Sequence, residues 1–265
     1  MNYQSIQTMS HLRSFAPFPA EHHNGNKLQE NGNSNSRTPA IPKASSPLQT
    51  LALASLVFTI IAPAAYSGPS DPKTIWIAEA RSLPLGTIVT VDGSVTVPSG
   101  VFASSSQFDG GFAIQDKTGG IYIDTTLNPD LTLGHQVRVT GTLADSVVPG
   151  LLVLVDVTET KVHGKGPKIE PLPVATGDVG EETEGMLVRI TGTITQPIEN
   201  DLPEGFVIFI NDGSGEVHSF VAASTGIDLS GLTPGDTIEV TGFSGQFGDS
   251  FEVDPRFQSD IRVLP

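Results

Sequence analysis

The 265-residue chain contains no cysteine. That excludes a disulfide framework, a thiolate-ligated zinc or iron–sulfur site, a thiol nucleophile and a lipid-modified cysteine anchor. Positive charge is scarce, with 14 Lys+Arg against 29 Asp+Glu and a formal net charge of −15. Such a surface lacks the clustered Lys and Arg that supply a sequence-blind grip on duplex DNA. Aromatic residues make up only 6%, with a single Trp. Charged residues are 16% and hydrophobic residues 38%, too apolar a balance for a disordered chain, and 28 Gly and 20 Pro punctuate the sequence too often for a helical one.

The N-terminal part reads as an address. Residues 1–47 are polar and without apolar periodicity, as in the run from Glu30 to Ser36, and are expected to be disordered. Leu51 to Ala62 is an apolar run that follows Lys43 and precedes the small residues of Ala62-Pro63-Ala64 and Ala65-Tyr66-Ser67. It is the length of a signal-peptide h-region, whereas a bilayer span needs about twenty residues. Residues 48–67 are therefore expected to be a signal-like helix with its cleavage region, and the protein to be exported to the periplasm or cell exterior, with no stable membrane span after cleavage. The alternative is a tether by an uncleaved signal anchor. Setting aside residues 1–67, with four basic residues (Arg13, Lys27, Arg37, Lys43) and two acidic ones (Glu21, Glu30), leaves 10 basic against 27 acidic residues, net −17.

Residues 84–265 carry one pattern twice. The run from Gly86 to Thr96, with Val89, Val91 and Val95 alternating with Thr90, Asp92 and Ser94, matches the run from Gly185 to Thr195 at an offset of 99. Phe112-Ala-Ile-Gln-Asp116-Lys-Thr-Gly119 matches Ile208-Phe-Ile-Asn-Asp212-Gly-Ser-Gly215 at 96, and Leu131 to Gly141 matches Leu232 to Gly242 at 101. Three blocks in one order signify duplication with changed loop lengths. Period-two alternation marks half-buried strands, and the Asp-x-x-Gly stretches read as hairpin turns. Gly93 and Gly192 fall on the apolar phase, where a bulge or sharp coil of the strand is expected. Residues 68–83 read as a connecting segment, 84–163 as the first unit, 164–173 as a Pro-rich linker and 174–265 as the second unit.

Five such strands per unit, the first long and Gly-bent, suit a small Greek-key barrel. The order Gly-x-x-Val-x-Val-x-Gly-x-Val, Phe-x-Ile-Gln-Asp-x-x-Gly-Gly-Ile and Leu-x-x-Gly-x-x-Val-x-Val-x-Gly resembles the OB-fold modules that accompany secreted bacterial nucleases and phosphoesterases. The expected fold class is all-β, with two tandem five-stranded OB-like barrels; an immunoglobulin-like sandwich is the alternative. The resemblance further implies that catalysis belongs to separate domains and that a separately encoded nuclease is a candidate protein partner.

No motif carries catalytic chemistry. Gly248-Asp249-Ser250 lacks the Asp-x-x-His that a Gly-Asp-Ser lipase needs near the chain end, since no His follows His218. Asn211 to Glu216 lacks the spaced carboxylates of a calcium loop and reads as a turn. His135, His163 and His218 have no ligand spacing, and Glu181-Glu182-x-Glu184 reads as a solvated face. No metal, cofactor or catalytic residue is expected, and the protein is read as a non-enzyme. One constellation remains. With Ile208, Ile210 and Val217 turned inward, Arg189, Phe209, His218 and Phe220 turn outward on the strands whose outer surface stacks ligands in OB folds. Tyr122 holds the matching place in the first unit, where Thr90, Ala113 and Asp124 make a poorer platform. The expected ligand is single-stranded nucleic acid or an oligosaccharide; the alternatives are packing against the neighbouring barrel and a role as a cell-envelope scaffold for a protein partner.

Overall fold

The structure is a computed structural model that describes residues 73–102, 110–127, 129–147 and 150–265. The disordered extension and the signal segment expected over residues 1–67 lie outside the described residues. Among those described, no helix is long and apolar enough to cross a membrane. All of them belong to one compact unit.

The first barrel is built from β2 (Ile88–Val97), β3 (Phe112–Gln115), β4 (Gly120–Ile123), β5 (His135–Asp145) and β6 (Leu152–Lys165). Its strands close in the order β2-β3-β4-β6-β5-β2, with β4 and β6 parallel and the other pairs antiparallel. The second repeats this with β8 (Leu187–Ile194), β10 (Gly205–Asn211), β11 (Glu216–Ala222), β12 (Thr237–Phe247) and β13 (Ser250–Asp254). Its order is β8-β10-β11-β13-β12-β8, and its one parallel pair is again β11 with β13. A first strand that pairs with both neighbours and a parallel third–fifth pair define two tandem OB-like barrels, which removes the sandwich alternative. Short strands β1 (Thr74–Ile75) and β7 (Leu172–Pro173) run parallel to β2 and β8; β9 (Glu199–Asp201) and β14 (Ile261–Val263) edge the second barrel.

Each barrel fills itself with its alternating aliphatic residues. Val89, Val91, Ile114, Ile121, Val137 and Val139 form one core; Val188, Ile190, Ile208, Ile210, Val217, Ile238 and Val240 form the other. The first strand changes partner just past its glycine: β2 pairs with β5 up to Ser94 and with β3 from Ser94 on, with a register shift between Val95 and Val97, and β8 passes from β12 to β10 at Thr193. A Cβ on Gly192 would stand 2.8 Å from Ile210 Cγ2 and 2.9 Å from the Asn211 carbonyl carbon, so no larger residue fits that coil.

Residues on either side of the expected barrel bounds also pack on the barrels. In the segment read as a connector, α1 (Ile77–Arg81) buries Ile77 and Ala80 in the first core. In the segment read as a linker, Leu172 and Pro173 pair in register with Val188 and Arg189. The hairpin aspartates explain this. Asp116 Oδ2 accepts the Ile77 N–H at 2.9 Å, while Oδ1 accepts the amides of Thr118 and Gly119. Asp212 does the same for Thr176, at 3.2 Å from its N–H and 2.8 Å from its hydroxyl, while holding the Ser214 amide. One carboxylate thus closes the turn and caps the helical turn leading into the barrel, in both units.

Candidate binding face

The outer surface of strands two and three is put to different use in the two barrels. In the first, β3 and β4 face the second barrel. Tyr122 is fully buried, its hydroxyl donates to the Phe102 carbonyl at 2.8 Å, and its ring meets Phe243 of β12 edge-on with centroids 5.8 Å apart. Val97, Phe102, Ala113, Leu151, Val153 and Phe243 close around it. Gln115 Oε1 accepts the Leu187 N–H at 2.8 Å. Gly120 and Gly185 meet backbone to backbone, and a Cβ on either would overlap the other's carbonyl oxygen.

Charge completes the seam. Glu184 is 2% exposed; its Oε1 accepts from Arg81 Nη2 at 2.9 Å and from the Leu152 N–H at 3.1 Å, while Oε2 has no hydrogen-bond partner. Burial raises its pKa above the usual carboxylate value, with the Arg81 guanidinium pulling the other way. Arg256 grips Asp260 through two guanidinium nitrogens and donates to the Thr96 carbonyl of the first barrel at 2.6 Å. Of the residues expected in a binding role, Tyr122 therefore serves as packing between barrels. Glu184, expected to stand in a solvated face, is instead a buried seam residue.

In the second barrel the equivalent surface meets the seam only at its end among the described residues, where Ala222 of β11 packs against the inter-barrel cluster and the Ser224 hydroxyl donates to the Val101 carbonyl at 2.9 Å. Phe209 pairs in register with His218, ring centroids 4.8 Å apart and edge-to-face, and Val207 pairs with Phe220. His218 also stands in register with Glu252 of β13. Phe220 lies down over Gly205, where a Cβ would come within 2.9 Å of its ring. Phe209 and Phe220 are each 7% exposed, so His218 and Val207 are the more accessible part of this face. Burial holds His218 below its ordinary pKa of 6.5, while the carboxylates of Glu216 and Glu199 act in the opposite sense. A neutral imidazole is thus set against an aromatic ring, inside a rim of carboxylates.

Arg189 does not join them. It lies between Pro173 and Thr241 on the side of β8 shared with β7 and β12, with Nε 3.9 Å from Glu239. The cation expected to complete the platform is thus drawn onto a neighbouring carboxylate. The Asn211–Glu216 turn is occupied internally as well: Asp212 accepts from Ser214 and Thr176, which lowers its pKa well below the usual carboxylate range. Gly248-Asp249 is the tight turn joining β12 to β13, with Phe247 and Ser250 paired across it.

No protein-family model matches the chain, and no curated protein does. Among solved structures it is similar to a hypothetical protein, ygiW, from E. coli, at 21% identity and a TM-score of 0.27, over 37% of this chain and 94% of that one. It is also similar to a murine DNA-binding protein bound to double-stranded DNA, at 11% identity and TM-score 0.34, over 66% and 98% of the two chains. A third is a replication protein A heterotrimer bound to single-stranded DNA, at 13% identity and TM-score 0.29, over 70% and 51%. Likenesses this remote leave the function to be argued from the chain's own residues.

Sequence reasoning missed the seam residues Arg81, Gln115, Gly120, Glu184 and Gly185. One signal for them was present. Where the second unit has Phe209 and Glu216, the first has Ala113 and Gly120, small residues that admit a neighbouring backbone.

Proposed function

We propose that this chain is an exported, non-catalytic OB-fold binding module, and that the outer face of β10 and β11 takes a chain-like ligand bearing flat rings, a single-stranded nucleic acid or an oligosaccharide. The observation that carries this reading is the asymmetry between the barrels. One copy of the strand-two and strand-three surface is spent on joining the barrels; the other touches that joint at its end, through Ala222, and bears Phe209, His218 and Phe220, which are not members of the packed inter-barrel cluster. Ring stacking supplies roughly 1–3 kcal/mol per base and is tolerant of sequence. The carboxylates of Glu199 and Glu216 near His218 and the pairing of Arg189 with Glu239 disfavour a phosphate chain, so a neutral sugar chain suits the face better electrostatically.

The test is fluorescence anisotropy of the full chain with two labelled probes, a short oligothymidylate and a neutral glucan oligosaccharide, at low and physiological salt. Saturable binding of either probe that is lost in His218→Ala and Phe209→Ala supports the reading; salt sensitivity assigns it to the nucleic acid. His218→Ala guards against a Phe209 variant that merely loosens the barrel. Absence of saturable binding to both probes at low salt would sink this function and leave the cell-envelope scaffold in front.

A further inference from the structure

We infer that the outer edge of β6 is a docking site for an acidic, extended segment of a protein partner. β6 is 14 residues long, but it pairs with β4 only at Val153 and Leu154. From Glu159 to Lys165 its sole strand neighbour among the described residues is β5. Alternate residues of such an edge turn their N–H and C=O groups away from the ladder, where an added strand can pair with them.

The edge also carries two neighbouring lysines that no carboxylate pairs with among the described residues. Each arginine in residues 73–265 is ion-paired: Arg81 with Glu184, Arg138 with Asp92, Arg189 and Arg262 with Glu239, and Arg256 with Asp260. Lys161 and Lys165 are exposed and have no ion pair among the described residues; Lys168, three residues later, is paired with Glu170 at 2.7 Å. No carboxylate occurs between Thr160 and Lys168, in a region whose overall net charge is −17. Val162 lies between the two lysines and is 48% exposed, an apolar contact for a side chain of the incoming strand.

These features select a peptide. Residues 150–171 contain no Phe, Trp or Tyr, so a nucleic acid would find phosphate contacts there but no ring for its bases to stack on. A second copy of the same edge is repelled, because it brings the same lysines. An acidic strand satisfies the free backbone groups, the lysines and Val162 together, by β-strand addition with charge complementarity. The bulges in the β5–β6 ladder, on either side of the regular stretch from Glu159 to Val162, confine the pairing to a short segment, so the lysines carry much of the affinity.

The probe is a fluorescein-labelled peptide of alternating Val and Glu, with an isoionic peptide in which Pro replaces Val and a short oligothymidylate as comparisons, each titrated into the full chain. The Val/Glu peptide should bind saturably at about 20 mM salt and weaken about tenfold or more by about 200 mM salt. The double variant Lys161→Glu/Lys165→Glu should lose at least about tenfold in affinity, and Arg262→Glu, on the second barrel, should not. Bound peptide should also slow amide exchange at Val162. Undetectable binding at low salt, equal binding by the double variant, equal binding of the Pro peptide, or tighter binding of the oligonucleotide to the same lysines would each overturn the inference.

Discussion

Replacing Gly120 with alanine should uncouple the two barrels without unfolding either. The added Cβ would lie 2.5 Å from the carbonyl carbon of Gly185 and 2.9 Å from the Met186 nitrogen, both backbone atoms that cannot rotate aside. Real Cβ contacts require more room, so the seam must open by about 1 Å, and overpacking of this kind costs roughly 1–3 kcal/mol. The opening also stretches the 2.8 Å bond from Leu187 N–H to Gln115 Oε1 and the 2.9 Å Arg81–Glu184 contact. Adding about 1 kcal/mol for a weakened buried hydrogen bond gives a total loss of about 2–4 kcal/mol. The assay is urea unfolding followed by two probes. Trp76, the single Trp, packs under Lys117 on the first barrel and reports that barrel alone by fluorescence, whereas far-ultraviolet circular dichroism reports both. The wild type, joined by a continuous seam, should give coincident transitions; Gly120→Ala should separate them. Coincident transitions with an unchanged midpoint in the variant would refute the claim that this backbone contact couples the barrels.

Arg256→Leu should destabilise the protein by about 3–5 kcal/mol, because it strands the buried Asp260 carboxylate and removes the bond to Thr96, a loss readable as a lower urea midpoint. His218 and Glu184 should give pH dependences of opposite sign. The depressed pKa of His218 means that the unfolded chain binds more protons near pH 6.5, so this contribution to stability is present above 6.5 and falls as pH drops through the folded value; His218→Gln should remove that slope. The raised pKa of Glu184 means that the folded chain binds the extra proton, so stability declines as pH rises from 4.5 through the folded value, and Glu184→Gln should flatten that decline in urea midpoints measured across the range.

The duplication, the ten barrel strands and the inward-facing aliphatic residues were legible because alternation is a local property, dictated by a pleat that turns successive side chains to opposite faces. The outward phase of Phe209, His218 and Phe220 followed from the same rule and is the register seen across β10 and β11. Arg189 obeyed the alternation too, but which neighbour a surface cation meets depends on the strand beside it. Here those strands are β7 and β12, not β10.

The sequence by itself determined the strands, their turns and the repetition of one barrel, since hydrophobic period and the Asp-x-x-Gly turns act over a few residues. Only the tertiary structure decided which of two equivalent faces is buried in the joint between the barrels. That choice rests on contacts between residues as distant as Arg81 and Glu184, or Thr96 and Arg256. Tyr122 and His218 occupy matching places in their repeats, yet one is sealed beneath Phe243 while the other stands beside Glu252 at a partly open surface. The physical reason is close packing. A backbone can lie directly against another only where both lack side chains, and Gly120 and Gly185 meet that condition, whereas Glu216 at the matching place in the second barrel does not.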